Sequence, residues 1–363
     1  MTTDQDQPLT DWIPDHLPED VQRELRVLAQ ESAGVPLVEP SESIIRHWLE
    51  ATEDGHPLYR DEEFATSLGY RGIVAPPGMD LTLMIPYRWP EPDSMGRNLH
   101  YSLKRVMRTP HGVVVEIDTE YVRMIEVDDR LFLSNRLASL TGPKRTRMGE
   151  GYFWVMESII RNQDGDVVVR GRTTMFATDP DGSGASGGDD DTSLGLNRAT
   201  EDELDPDGRA THPPAGQRAY WDDVEVGDEL PTLLMPITVT RCVYLASATR
   251  DFSPHHSNRD YAQQHIGARD MFTNTPFNAG MLSRFATDWG GPLSRVRRIR
   301  LLMRENVCAG DDMIINGRVA RKYADGDEHL VDIDIEVSTQ HGPAYGASAT
   351  LVLPRRPSGD DGN

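Results

Sequence analysis

The feature that most limits the fold of this chain is the run 180–218, PDGSGASGGDDDTSLGLNRATEDELDPDGRATHPPAGQR, which has no aromatic and no β-branched aliphatic residue. Its seven Gly, and nine acids against three Arg, leave it nothing to bury, so it cannot offset the entropy of ordering and reads as a flexible acidic linker. Gly182, Gly184 and Gly187 match G-x-G-x-x-G in spacing alone, with no strand before and no helix after, and carry no dinucleotide reading. Cutting the 363 residues there leaves two stretches of similar length, 41–179 and 219–355, with an N-terminal extension (1–40) and a short tail (356–363).

The two stretches repeat one set of landmarks. Asp54-Gly-His-Pro57-Leu-Tyr59 in the first corresponds to Asp251-Phe-Ser-Pro254-His-His256 in the second. Pro and then Gly-Met follow in each, at Pro77-Gly78-Met79 and at Pro276 with Gly280-Met281. A strand-like run with an Arg and an acidic turn comes next: Arg123 with Asp128-Asp129, and Arg304 with Asp311. The shared order marks a duplicated domain. Alternating apolar residues in HGVVVEIDTEYV, DRLFLSNRLASL, DMIINGRVARKY and HLVDIDIEVST predict strands with one wet face. Helices are predicted at 41–51, capped by Ser41 or Ser43, at 239–249, and after each Gly-Met, in LTLMIPY and in LSRFATDW. Residues 18–31, with Val21, Leu25 and Leu28 on one face, predict an amphipathic helix packed on the first domain. One helix followed by several long antiparallel strands, repeated, is an α+β domain whose curled sheet wraps a central helix.

Fifty-nine acids outnumber 37 Lys and Arg, for a net charge of −22, which disfavours nucleic-acid backbones and anionic membrane surfaces as partners. The extension (nine acids, two Arg) and the linker (nine acids, three Arg) hold thirteen of those excess charges, so the acidity says little about the folded halves. Cys242 and Cys308, the two cysteines, are too few for a disulfide framework or a cysteine zinc site and read as inert core residues. An acidic start, MTTDQDQPLTDW, and the lack of an apolar window of membrane length place the expectation at a soluble cytoplasmic protein.

The run Tyr244 to Ala262, with Asp251, Pro254 and His256 at its centre, resembles the hydratase signature of MaoC-like (R)-specific enoyl-CoA hydratases and dehydratases, Asp-x-Asn-Pro-(apolar)-His. The resemblance covers nearly the whole chain apart from the linker and both termini. It implies a double hot dog fold, two antiparallel sheets each wrapped around a central helix and packed as a pseudo-dimer. It also implies a degenerate N-terminal copy paired with a catalytic C-terminal one. Three positions depart from the pattern: Ser253 replaces Asn, Arg250 replaces a Gly, and His255 replaces an apolar residue.

Hydration of an enoyl thioester needs a base for water, an acid for C2 and a dipole for the enolate oxygen. Asp251 and His256 are assigned jointly to the first two needs, without deciding which delivers the proton. The third falls to amides at the start of the central helix, with Gly280 allowing close approach and Asn278 and Ser253 as polar neighbours. In the first copy Asp54 is kept but Tyr59 replaces His. A phenol titrating near pH 10 is a poor base, so that copy is expected to be silent and to lend space to the acyl group, at Leu81 to Trp89. Arg295, Arg297, Arg298, Arg300 and Arg304 form either a solvated strand face or a clamp for coenzyme A phosphates, with Arg298, Arg300 and Arg304 the candidates. His255, His256 and His265 are not expected to bind metal, because adjacent His in an extended loop point apart. The expected activity is that of a hydro-lyase on a 2-enoyl-CoA or 3-hydroxyacyl-CoA, with no cofactor beyond coenzyme A in the substrate. The alternatives are a hot dog thioesterase or a non-catalytic acyl-CoA-binding subunit. Assembly is expected as a monomeric pseudo-dimer or a homo-oligomer.

Overall fold

The computed structural model describes residues 11–90, 98–109, 111–146, 149–178 and 219–357. The linker 180–218, the first ten residues and the last six of the tail lie outside them. The first half runs α1 (Glu19–Leu28), β1 (Val35–Pro36), α2 (Glu42–Thr52), α3 (Pro57–Arg60), α4 (Glu62–Ser67), β2 (Val74–Ala75) and α5 (Met79–Leu83). It continues with α6 (Leu99–Met107), β3 (His111–Tyr121), β4 (Ile125–Glu126), β5 (Phe132–Thr146), β6 (Gly149–Arg161) and β7 (Val167–Thr178). The second half runs β8 (Glu229–Ile237), α7 (Val239–Ala248), α8 (Arg259–Tyr261), α9 (Thr275–Gly290), β9 (Arg295–Met303), β10 (Asp311–Asp325), β11 (Glu328–Thr339) and β12 (Gly342–Val352).

Contacts divide the chain into two compact units that cut across the linear halves. The first unit draws on residues 1–38, 84–118 and 130–191. Its sheet has the order β1-β5-β6-β7-β3, with β5, β6 and β7 antiparallel and Trp154 opposite both Leu140 and Met175. Leu25 of α1 and Leu99, Leu103 and Val106 of α6 bury against Leu137, Leu140, Trp154 and Met175. The amphipathic helix read at 18–31 thus packs within this unit. No helix was expected at α6, although Leu99, Leu103 and Val106 share a helical face and Asn98 Oδ1 caps it at His100 N (2.9 Å).

The second unit draws on residues 39–83, 119–129 and 192–363. Its sheet, β9-β12-β11-β10-β8, is antiparallel throughout, with Ile315 opposite Val337 and Ile333 opposite Ala349. It packs on α9, which buries Phe277, Met281, Leu282, Phe285 and Ala286, and so builds the sheet-on-central-helix layer expected from the sequence. Helices α2 and α5 pack on the same α9, and α2 lies beside α7. Ser41 caps α2 and Thr238 caps α7, so those two helices match their predicted starts.

The central helices differ from expectation. Helix α9 begins at Thr275, where Asn274 caps it and Pro276 suits the first turn, rather than after Gly280-Met281. Its counterpart α5 has five residues, because Ile85 precedes Pro86 and is driven out of the helical region. Gly280 therefore sits inside α9, where a Cβ would come 2.7 Å from Trp48 Cζ2. Gly78 (φ +99°) lies close by, since a Cβ on it would meet Gly280 N at 2.7 Å. Ala is ordinarily worth up to ~1 kcal/mol over Gly in a helix. Gly280→Ala is expected to reverse that sign and cost about 1–3 kcal/mol, read from denaturant unfolding, because Trp48 has to be displaced.

Candidate active site

All the candidate site residues lie in the second unit. Helix α7 ends at Ala248, and Arg250 turns the chain through a left-handed conformation (φ +59°) into Asp251. At the same place in the first half, Glu53 (φ +52°) follows α2 and precedes Asp54. This geometry favours Gly, which explains why the resembling pattern has one there, and a side chain pays for it in backbone strain. Arg250→Gly is expected to raise stability by about 1 kcal/mol in thermal unfolding. A loss of similar size would mean that the guanidinium contacts outweigh the strain.

Beyond Arg250 the loop is built as an Asx turn. Asp251 Oδ1 accepts from Ser253 N (3.2 Å) and from Ser253 Oγ–H (2.7 Å), so Ser253, at the place of the pattern's Asn, binds the carboxylate with both its amide and its side chain. Pro254 then opens a single 3₁₀ turn that brings His256 back over the carboxylate. His256 Nδ1–H donates to Phe272 O (2.7 Å), which commits that nitrogen and leaves Nε2 facing Asp251 Oδ2 at 3.4 Å. The His256 side chain is 6% exposed and that of Asp251 is 25% exposed, so solvent reaches the pair from the carboxylate side. Burial works to raise the Asp251 pKa, but the hydrogen bond and charge of His256, with the hydroxyl and amide of Ser253, outweigh it and hold the carboxyl well below its usual range. His255 stacks on Phe272 with ring centroids 5.0 Å apart. Among the described residues no cluster of three His, Cys, Asp or Glu is placed for a metal ion.

Asn278 closes the first turn of α9, buried, with Nδ2 3.8 Å from Met303 Sδ and its Oδ1 lacking a hydrogen-bond partner among the described residues. Thr275 Oγ1 touches the same sulfur (3.9 Å), so the end of β9 abuts the start of α9. Gly280, expected beside the thioester, lies within α9 against Trp48. Of the basic cluster, Arg295 and Arg297 form ion pairs with Glu328, and Arg297 also pairs with Glu120. Arg298 and Arg300 on β9, and Arg304 just past it, are exposed.

The first copy repeats the loop and not the pair. Asp54 Oδ1 accepts from His56 N (2.9 Å), matching the Asp251 turn, and Pro57 opens a helical turn as Pro254 does. Burial raises the Asp54 pKa against the pull of the His56 amide and Arg284. Tyr59 stands where His256 stands in the other copy, fully buried beside Ser283, and burial followed by the charge of Asp54 pushes its phenol well above the ordinary value. His56, which the sequence reading passed over, donates from Nε2 to Gly291 O (3.3 Å) and accepts Leu58 N at Nδ1, and burial lowers its pKa to about 4.

Two further pairs escaped the sequence. Asp129 accepts from Arg71 and Arg123 and from Glu126 N; Asp311 accepts from Arg269 (2.9 and 2.6 Å) and from Cys308 N. The acidic turns are landmarks in the sequence, but Arg71 and Arg269 lie too far from them for local pattern to pair them.

Residues 37–170 match the family described as FAS1-like, dehydratase domain region. The chain is 36% identical over 94 residues to the 3-oxo-4,17-pregnadiene-20-carboxyl-CoA hydratase beta subunit of Mycobacterium tuberculosis, covering 26% of this chain and 72% of that one. It is 30% identical over 194 residues to the alpha subunit of the same name and organism, covering 51% of this chain and 56% of the relative. The chain thus spans about half the length of the curated alpha subunits it matches. A solved structure described as a MaoC-like dehydratase superposes with a TM-score of 0.67 at 20% identity, over 90% of this chain and 97% of the other. The fold is the α+β double hot dog, and the chain belongs to the MaoC-like dehydratase family.

Proposed function

We propose that the chain is a hydro-lyase interconverting a 2-enoyl-CoA and its 3-hydroxyacyl-CoA. The observation that carries this reading is the 3.4 Å facing of His256 Nε2 and Asp251 Oδ2 with Nδ1–H already committed to Phe272 O. A carboxylate oxygen and an imidazole nitrogen this close can both reach one water, and the pair can take a proton from it and return one. In hydration the pair takes a proton from that water as its oxygen bonds C3, and the same pair delivers a proton to C2, so that it ends in the protonation state it began in. Dehydration runs the same steps backward. The first amides of α9 and the positive end of its dipole favour the charge that develops on the thioester oxygen, with Asn278 beside them.

Arg298, Arg300 and Arg304 are assigned to the phosphates of coenzyme A, which enters as part of the substrate and is the only cofactor moiety required. Support comes from their exposure and from the contact of Met303 with the start of α9, one residue before Arg304. The copy bearing Asp54 and Tyr59 is silent, since its phenol is harder to ionise than an ordinary one. A bulky acyl group is favoured, because α5 is five residues long against sixteen for α9 and because the relatives are named for a pregnadiene-carboxyl-CoA. One chain that matches both an alpha and a beta subunit supplies the pairing within itself, as a monomer or as the protomer of a homo-oligomer. Two buried free cysteines suit the reducing cytosol, and among the described residues no helix is long and apolar enough to cross a membrane.

The test is to mix the purified chain with trans-2-enoyl-CoA esters of graded acyl size and follow loss of the conjugated enoyl absorbance, expected to be fastest with bulky acyl groups. Release of free thiol instead would establish a thioesterase. That outcome is disfavoured because Asp288, the carboxylate of α9, is held by Arg284 Nε at 3.2 Å. Tight binding of acyl-CoA without turnover of any ester would overturn the reading in favour of a binding subunit.

A further inference from the structure

The segment Phe272–Asn274 meets His256 directly and Asp251 through Thr249. The Phe272 carbonyl accepts from His256 Nδ1–H. Two residues on, Asn274, 2% exposed, uses both ends of its amide: Oδ1 accepts from Phe277 N (3.0 Å) and caps α9, while Nδ2 donates to Thr249 Oγ1 (2.6 Å). Thr249 is 1% exposed, donates its hydroxyl proton to Leu245 O (2.7 Å), and accepts from Asp251 N at 3.4 Å. A helix cap needs only the oxygen, and Ser, Thr or Asp would serve as well. The amide nitrogen is the surplus feature of this Asn, and it is spent on the residue two before Asp251.

We propose that Asn274 and Thr249 are positioning residues that hold Asp251, His256 and the first amides of α9 in one frame. This rests on the hydro-lyase reading. The link closes a ring: from Asp251 through Thr249 to Asn274, along two residues to Phe272, and back through His256. Neither side chain touches the reacting atoms, so each acts through the distance it sets. The cost of removing it falls on the chemical step rather than on capture of the thioester.

Three variants test this. Thr249→Val removes the oxygen at constant shape, Asn274→Ser keeps the cap but cannot reach Thr249, and Thr249→Ser restores the oxygen. The first two are expected to lower kcat about 10- to 100-fold with KM within about threefold, and Thr249→Ser to return at least about a third of the original kcat, since small misplacements carry such losses. In parallel, the protonation midpoint of Asp251, followed by ¹³C NMR of a carboxyl-labelled chain, is expected to rise toward the ordinary carboxylate range in Thr249→Val and Asn274→Ser. A purely structural role would leave that midpoint in place. A kcat within about twofold of the parent in both variants, a loss confined to KM, or an unmoved Asp251 midpoint would each overturn the proposal. The titration needs no turnover, so a parent chain that hydrates no enoyl-CoA would refute the activity and still leave the positioning role to be judged. Should Thr249→Val not fold, Asn274→Ser decides, because its helix cap is intact.

Discussion

His256→Ala and Asp251→Asn are each expected to lower kcat for enoyl-CoA hydration by about 10²–10⁴-fold, the usual worth of a positioned acid or base. The argument starts from the tautomer. With Nδ1–H held by Phe272 O, the imidazole presents Nε2 to Oδ2 and to a water set to the side of both. Deleting the ring removes one of the two groups that fix the water. Asp251→Asn keeps the shape but puts a neutral amide where an ionised carboxylate stood. Because the two groups act on one water, the double variant is expected to be scarcely worse than either single one. KM is expected to move little, since neither group faces the coenzyme A moiety in this reading. The depressed Asp251 pKa also fixes the sign of a stability effect. A carboxyl whose folded value lies below its unfolded value, near 3.8, stabilises the fold above the unfolded value and loses that contribution as pH falls through the folded one. The stability gap between parent and Asp251→Asn should therefore be full at neutral pH and close only below about pH 4. A gap that widened on acidification would contradict the assigned ionisation.

The strands, the duplication and the motif loop were legible because each rests on local pattern. Alternation in HLVDIDIEVST has the period of a half-buried strand, and β11 follows it; Asp251, Pro254 and His256 carry their geometry in a turn of six residues. The central helices were misread because Gly280-Met281 looks like a start, whereas the cap that starts α9 is Asn274 and the glycine serves a contact with Trp48, over 200 residues away in sequence. The substitution at Arg250 was visible, but its left-handed backbone was not, since an Arg gives no local sign that a positive φ is required. Contacts set by tertiary packing left no trace at all. His56 and Ser253 occupy matching turns, yet Ser253 bonds within its own turn to Asp251 while His56 reaches out to Gly291 O, far away in sequence.

Asp311→Ala is expected to cost about 3–5 kcal/mol in denaturant unfolding, the penalty for breaking a buried ion pair by removing one partner. The Asp311 side chain is fully buried and accepts both Nη atoms of Arg269, the Cys308 amide (2.7 Å) and Gln340 Nε2 (3.4 Å), with His341 Nε2 3.4 Å from Oδ1. Alanine leaves a part-buried guanidinium and the buried Cys308 amide without the carboxylate they share. Asp129 holds the matching place in the first copy, with two Arg and the amide of Glu126, so Asp129→Ala is expected to cost a similar amount. Replacing both partners, as in Arg269→Met with Asp311→Leu, should recover most of the loss, because a packed apolar pair carries no stranded charge. The two sites part company in activity. Asp311 fixes Cys308, which bridges to Phe272, and Phe272 O holds His256, so Asp311→Ala should lower kcat even at temperatures where the chain is fully folded. Asp129 braces the turn through Glu126, which pairs with β2, and it touches no residue of the loop 251–256, so Asp129→Ala should leave kcat near the parent value at equal folded fraction. Equal losses of kcat in the two variants would mean that general loosening, rather than the line from Asp311 to His256, sets the rate.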